Sequence, residues 1–298
     1  MGSLTALKPG DHVALIAPAR AVSKEEMLAF AVWCEEKNLV LEEGKHLYGR
    51  HHQFSGTAEE RAADLRDSWQ NPEIKAIFCA RGGYGCVQML ELLEDVDWKS
   101  GSKWLIGFSD ITTLHLHLNK LGIPTLHGPM AIHWGIENEY TRENILQVEE
   151  ALFKLQVEID FSDSTKEHPL RFSGKILGGN LSLVYAALGT PEQPDTTNAV
   201  LFLEDLDEYL YHIDRMMMAL KRAGLLKNLA GLVVGGMTDM KDNTIPFGHT
   251  AEEIIRHHMK NTGVPAVFNF PAGHTPKNAC FFMGADCTFE NGKLTQQL

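Results

Sequence analysis

The chain has 298 residues, 44% of them hydrophobic and 22% charged, a make-up that supplies sizeable cores and excludes disorder and collagen-like structure. At roughly 100 to 200 residues per domain, two domains are expected. Lys plus Arg number 27 against 39 Asp plus Glu, a net charge of -12, so the surface repels phosphate and nucleic acid is not an expected partner.

No apolar run approaches the roughly 18 to 20 residues that span a bilayer, so no membrane partner is expected. The longest candidate, Leu229 to Met237, is short and broken by glycines. The start, MGSLTALKPG, lacks a basic stretch followed by an apolar one, and Ala6 stands where a myristoylation signal needs Ser or Thr. The expected compartment is the cytoplasm. Five cysteines (Cys34, Cys79, Cys86, Cys280, Cys287) are odd in number, scattered and without a CxxC pair, which reads as reduced thiols and no structural zinc.

In chain order, the apolar run 13–17 before Pro18 predicts a first, buried parallel strand. Ser23 caps a helix from Lys24 to about Lys37, with Glu25 and Glu26 in its first turn. Leu39 to Leu41 are extended, and Thr57 with Glu60 forms a capping box that opens a helix ending near Asn71-Pro72. A strand, IKAIFCA, runs into Arg81-Gly82-Gly83-Tyr84-Gly85, followed by helical spacing over Val87 to Leu93. A further strand, KWLIGF, runs into Ser109-Asp110 and another helix. This alternation predicts an α/β fold with a doubly wound parallel sheet, whose ligands lie beyond the carboxyl ends of the strands.

Residues 141–155 form an amphipathic helix, and the polar stretch Asp160 to Pro169 is the expected linker between a domain over 1–158 and a second, mixed α/β domain over 170–298. The second half offers GKILGGNLSLV, a strand AVLFLED, a helix around Asp214 to Ala223, a strand GLVVGG, a helix from Thr250 to Lys260 and the extended AVFNF. There is no repeat and no low-complexity tract.

Ser109 follows a strand and opens a helix, so its hydroxyl projects where backbone N–H groups and the helix dipole face a developing anion; an ordinary capping serine fits the same position. Gly107-Phe108-Ser109 begins like a GxSxG elbow, but Ile111 replaces the second glycine. A serine nucleophile needs a base and a group to orient that base. Among 14 histidines, His274 lies in a Pro- and Gly-bounded loop after an extended segment, whereas His115 and His117 belong to packing or solvent faces and His51-His52 and His257-His258 to exposed pairs. Glu204 ends the strand AVLFL and emerges at its carboxyl edge, with Asp205 and Asp207 competing for the same role. Asp214-Arg215 reads as an ion pair or cap. The glycines at Arg81 to Gly85 turn N–H groups toward an anion, or simply make a tight turn; GGYG is a poor dinucleotide fingerprint.

Together these segments resemble the LD-carboxypeptidase family of serine peptidases, which includes murein tetrapeptide carboxypeptidases and microcin C self-immunity peptidases. The resemblance rests on LIAPA, ARGGYG at 80–85, GFSDIT at 107–112, HGPM at 127–130, GGNLSL at 178–183, LFLEDLDE at 201–208 with IDRM at 213–216, and PAGH at 271–274, in one order across nearly the whole chain. It implies a glutaminase-like N-terminal domain carrying the nucleophile Ser109, and a C-terminal domain carrying the base His274 and its orienting Glu204. It further implies an oxyanion hole from the backbone N–H groups of Gly83 and Asp110, a homodimer, no metal or other cofactor, and cleavage in the cytoplasm of the amide before a terminal D-residue. The expected substrate is murein tetrapeptide, losing its D-alanine, with a peptidyl-nucleotide amide as the alternative and Trp134 as the residue that would stack on its base or simply pack. Arg81 is a candidate partner for a substrate carboxylate, an internal salt bridge being its other reading. A catalytically idle ligand-binding protein and a nucleotide-dependent dehydrogenase are the readings from other classes, opposed by the intact Ser, Glu and His set and by the missing fingerprint.

Overall fold

A computed structural model of the chain describes residues 4–101, 103–162 and 170–298. The apolar run at the start becomes β1 (His12–Ile16), buried from Val13 onward. After it come α1 (Lys24–Glu36), β2 (Val40–Glu43), α2 (Ala58–Gln70), β3 (Ile74–Cys79), β4 (Trp104–Gly107), α3 (Thr112–Lys120) and β5 (Thr125–His127). Thr57 closes the expected capping box with Glu60, and Ser23, expected as a cap, forms a full box with Glu26, which satisfies the first free N–H groups of α2 and α1. The second half follows as α4 (Thr141–Lys154), β6 (Gln156–Asp160), β7 (Arg171–Asn180), α5 (Leu181–Ala186), β8 (Val200–Leu206), α6 (Leu210–Arg222), β9 (Gly231–Thr238) and α7 (Ala251–Met259). It ends in four short strands, β10 (Ala266–Val267), β11 (Phe281–Met283), β12 (Asp286–Glu290) and β13 (Lys293–Gln297). Most of the expected linker, 163–169, lies outside the described residues.

Two differences from the sequence reading have local causes. The segment Cys86–Leu93 is a 3-10 helix rather than an α-helix. Two guanidinium groups bind carbonyls at its ends, Arg61 that of Gly85 and Arg66 that of Leu92, and these compete with α-helical pairing. The extended AVFNF supplies only the two residues of β10, since Asn269 turns with φ +57°.

The first sheet has the order β11-β5-β4-β3-β1-β2, in which β1 to β5 are parallel and β11 is antiparallel to β5. It is doubly wound, with α2 and α3 on one apolar face through Leu65, Trp69 and Leu114, and α1 and α4 on the other through Phe30, Trp33 and Leu152. The second sheet, β10-β9-β8-β7-β12-β13-β6, is parallel from β7 to β10 and antiparallel beyond. Helices α5, α6 and α7 cover one face of it with Leu181, Met216, Met217 and Ile255.

Strand β11 belongs to the second half in sequence but to the first sheet in space. Its Phe281 stacks on His127 of β5, with ring centroids 4.7 Å apart. The loop between β10 and β11 therefore has to cross from one sheet to the other, and His274 lies on that crossing.

Candidate active site

Ser109 stands at the carboxyl end of β4, on the sharp turn into α3, with φ +62°. A left-handed conformation costs a non-glycine residue roughly 1–2 kcal/mol, so the fold holds this side chain against a local preference. Two glycines allow the turn. A Cβ at Gly107 would meet Ile111 Cγ1 at 2.8 Å, and one at Gly82 would come within 3.1 Å of Ser109 Cβ. Ile111, at the place of the missing second elbow glycine, thus packs on the first one.

His274 and Glu204 arrive from the second sheet. His274 Nε2 is 3.1 Å from Ser109 Oγ, and its Nδ1 is 2.7 Å from Glu204 Oε2. A carboxylate only accepts, so Nδ1 carries the proton and Nε2 is the acceptor for the serine hydroxyl. The backbone N–H of His274 also donates to Glu204 Oε2, at 3.1 Å, which fixes the loop as well as the ring. Glu204 is fully buried within β8, two residues before its carboxyl end, and its other oxygen, Oε1, has no hydrogen-bond partner among the described residues. The Phe108 ring lies against the imidazole, centroids 5.0 Å apart.

Burial works to lower the His274 pKa, but the hydrogen bond and charge of Glu204, with the charge of Asp205, outweigh it and hold the imidazole above its ordinary value. A register irregularity on β8 between Leu203 and Asp205 buries two successive carboxylates, and they do different work. Glu204 faces His274. Asp205 accepts from Asn180 Nδ2 and the Leu206 N–H through Oδ1 and from the Ser182 N–H through Oδ2, each at 2.9 Å. Burial, with the neighbouring Glu204 charge, pushes the Asp205 carboxyl up to about 7. Asp207 is drawn away to Lys241.

The turn after β3 lies beside Ser109. Gly83 and Gly85 have φ +113° and +144°, open only to glycine, and the stem of Arg20 occupies the space a Gly83 side chain would need. Two buried side chains brace this turn. Asp110 Oδ2 accepts the Cys86 N–H at 2.8 Å, tying the residue after Ser109 to the end of the glycine turn. Arg61 donates to the carbonyls of Pro18 and Gly85 at 2.6 and 2.9 Å. Arg81 is half-exposed at the rim, with Nη1 3.6 Å from Glu26 Oε1. Ser109 and His274 open into a cleft of ≈ 550 Å³ with Arg20, Arg81 and Asp205 in its walls. A larger concavity of ≈ 790 Å³, over β6, β12 and β13, holds neither of them.

Sequence reasoning had not identified Arg20, Arg61 and Asn180 as parts of this site; each bears on it only through contacts between separate elements. Trp134 is buried and packs edge-on against Phe30, centroids 5.2 Å apart, so it is a core residue and is not poised to stack on a base. Asp214 pairs with His258 rather than Arg215, at 2.8 Å, and His258 is buried rather than exposed. His115 is a structural residue: it bonds Thr125 Oγ1 and the Gly107 carbonyl, and burial takes its pKa down to about 4. Three possible metal ligands, His12, Glu42 and Glu73, lie within 4.8 Å of one another around the amino ends of β1 and β3, at the opposite edge of the sheet. No helix among the described residues is long and apolar enough to cross a membrane.

Two family models match the chain: the LD-carboxypeptidase N-terminal domain over residues 13–128 and the LD-carboxypeptidase C-terminal domain over 173–289. A probable murein peptide carboxypeptidase of Bacillus subtilis is 32% identical over 97% of this chain and 92% of its own. Among solved structures, the muramoyltetrapeptide carboxypeptidase of Oxalobacter formigenes superposes with a TM-score of 0.82 at 25% identity, covering 95% of this chain and 97% of its own. The microcin C7 self immunity protein MccF superposes with a TM-score of 0.86, covering 98% and 97%, but at 19% identity it shares the fold alone.

Proposed function

This chain belongs to the LD-carboxypeptidase family and is a carboxypeptidase of its serine type, and from that premise we propose that it releases the terminal D-alanine of murein tetrapeptide by hydrolysing an L,D-amide bond. The observation that carries the reading is the unbroken line of contacts from Ser109 Oγ through His274 to the buried Glu204, at 3.1 and 2.7 Å, on the floor of the cleft.

In this reading Ser109 attacks the scissile carbonyl while His274 Nε2 takes its proton, and the Glu204 carboxylate steadies the imidazolium that forms. The N–H groups of Gly83 and Asp110 receive the oxyanion, held in register by the Asp110 to Cys86 bond and by Arg61. His274 then gives its proton to the departing amine, and water repeats the sequence on the acyl-enzyme. Glycine at position 83 leaves room for the Arg20 side chain, which lies along its backbone. The enzyme acts in the cytoplasm, on soluble wall fragments, as a homodimer, in line with the family it resembles. It folds as domains over 1–158 and 170–298, with β6 and β11 as the strands each half lends to the other.

The test is to incubate the protein, with Ser109→Ala beside it, with a murein tetrapeptide ending in D-alanine. D-Alanine released by the parent alone supports the reading. Release by both rejects the nucleophile. Release by neither, with cleavage of an aminoacyl sulfamoyl nucleotide by the parent, favours the immunity reading, for which the shared fold is the present support.

A further inference from the structure

A carboxypeptidase has to recognise that its substrate ends. The one group that marks a chain end is the free carboxylate, and its carbon lies two bonds from the scissile nitrogen. Whatever binds it must therefore sit within a side chain's reach of Ser109 and carry positive charge or several N–H donors.

Arg20 and Arg81 are the arginines in the walls of the cleft, which contain no lysine. They differ in what already answers their charge. Arg81 Nη1 has Glu26 Oε1 at 3.6 Å. The Arg20 side chain has no ion pair and no hydrogen bond among the described residues, and it is exposed. It does feel the field of the buried Asp110, but that carboxylate is bonded to the Cys86 N–H and makes no ion pair with it.

The position of Arg20 is fixed by its stem. A Cβ built on Gly83 would meet Arg20 Cδ at 2.6 Å and both Cγ and Nε at 2.8 Å, so the side chain lies along the backbone of that glycine. A Cβ on the preceding Gly82 would meet Ser109 Cβ at 3.1 Å. Successive Cα atoms are about 3.8 Å apart, so the nucleophile and the arginine stem stand over neighbouring residues of one turn. Asp205, Asp207 and Glu208 also line the cleft, but each has partners of its own: Asp205 accepts from Asn180, Ser182 and Leu206, Asp207 pairs with Lys241, and Glu208 with His212. The charge left unanswered is that of Arg20, beside the glycine turn.

We propose that Arg20 is the specificity-determining residue of this enzyme, receiving the free carboxylate of the departing residue through its guanidinium fork. The inference rests on the carboxypeptidase reading above and deepens it. It assigns to Arg20 the carboxylate contact that the sequence had suggested for Arg81.

The experiment compares two substrates, the tetrapeptide ending in D-alanine and the same peptide ending in D-alaninamide, by chromatography of the tripeptide formed. The parent enzyme is expected to prefer the free acid by about 100-fold in kcat/KM, the scale of a lost charge-assisted pair. Arg20→Gln lowers the acid-to-amide ratio of kcat/KM to about 1, so the preference vanishes, whatever the rate of either substrate. Arg20→Lys, which keeps the charge and loses the fork, restores part of it. An Arg20→Gln enzyme that keeps the full preference overturns the inference, as does loss of the preference in Arg81→Gln alone. A parent enzyme that processes neither peptide sinks the tetrapeptide reading itself, a result distinct from either.

Discussion

His274 meets Ser109 from the opposite half of the molecule: Nε2 stands 3.1 Å from Oγ across a separation of 165 residues. The contact exists because the chain leaves the second sheet after β10 and re-enters the first as β11, beside β5. A second link fixes the same two halves from the other side, where the Asn180 N–H at the end of β7 donates to Thr112 Oγ1 on α3 at 3.0 Å. The contact is thus built across a packed seam, and it is as rigid as that seam.

Ser109 carries the first prediction, because its reactivity and its strain can be separated. Ser109→Ala and Ser109→Gly both remove the hydroxyl, and kcat falls by about 10⁶-fold in each. Alanine keeps the φ +62° penalty and glycine escapes it. Ser109→Gly is therefore the more stable of the two by about 1 kcal/mol in chemical denaturation. Equal stabilities would mean that the turn is not strained.

Much of this was legible in the sequence, and for reasons that particular residues make plain. Capping boxes are local, so α1 and α2 begin where Ser23 and Thr57 place them. A buried parallel strand is a short apolar run, so β1, β3, β4 and β8 are visible, and with the last three the places of Arg81, Ser109 and Glu204 near their carboxyl ends. What could not be read were contacts set by the packing of separate elements. The return of β11 to the first sheet has no local signature in Phe281 to Met283. The choice of Glu204 over Asp205 depends on a strand irregularity, and the pairing of Asp214 with His258 on the seating of α7 against α6. Charge alone does not show that Arg81 has Glu26 for a neighbour, since the two are distant in sequence and meet only in the fold.

The pH profile tests the electrostatics of His274. The imidazole must be neutral to accept the serine proton, so kcat/KM rises with pH through the His274 pKa. Although burial pulls that pKa down, Glu204 and Asp205 hold it above the ordinary value, which puts the midpoint of the acid limb above about 6.5. Asp205, itself raised to about 7, carries only part of a charge in that range, so Asp205→Asn moves the midpoint to lower pH by less than loss of Glu204 would. A midpoint that does not move would show that Asp205 acts only through its bonds to Asn180 and Ser182.

Glu204→Gln keeps the shape of the side chain and loses the charge. A glutamine can offer its N–H₂ to His274 Nδ1, which favours the tautomer with the proton on Nε2, where it cannot accept from Ser109. By this route kcat falls about 10⁴-fold with the protein still folded. The acid limb of any residual activity shifts downward, since the hydrogen bond and charge that raise the His274 pKa are gone. A variant retaining a tenth of parent kcat would leave Glu204 a structural residue.

Gly273 is where backbone and chemistry meet most tightly. Its φ is +99°, and a Cβ there would lie 2.6 Å from Glu204 Oε2 and 2.7 Å from both Cβ and Cγ of the same residue. Glu204 is fully buried, so it cannot swing aside, and the Gly273 N–H is itself bound to Asn278 Oδ1 at 2.8 Å. Gly273→Ala therefore has to shift the loop that bears His274. Left-handed strain costs about 1–2 kcal/mol by itself, and a displacement on the order of 1 Å at the imidazole costs about 100-fold in rate. Gly189→Ala separates the two effects. Gly189 has φ +77° with nothing within 4 Å of its would-be Cβ, so that variant loses stability to strain while its kcat/KM stays at the parent level. Thermal melts and D-alanine release measured on both variants decide the matter: equal losses of stability with equal activities would show that the crowding of Glu204 has no bearing on catalysis.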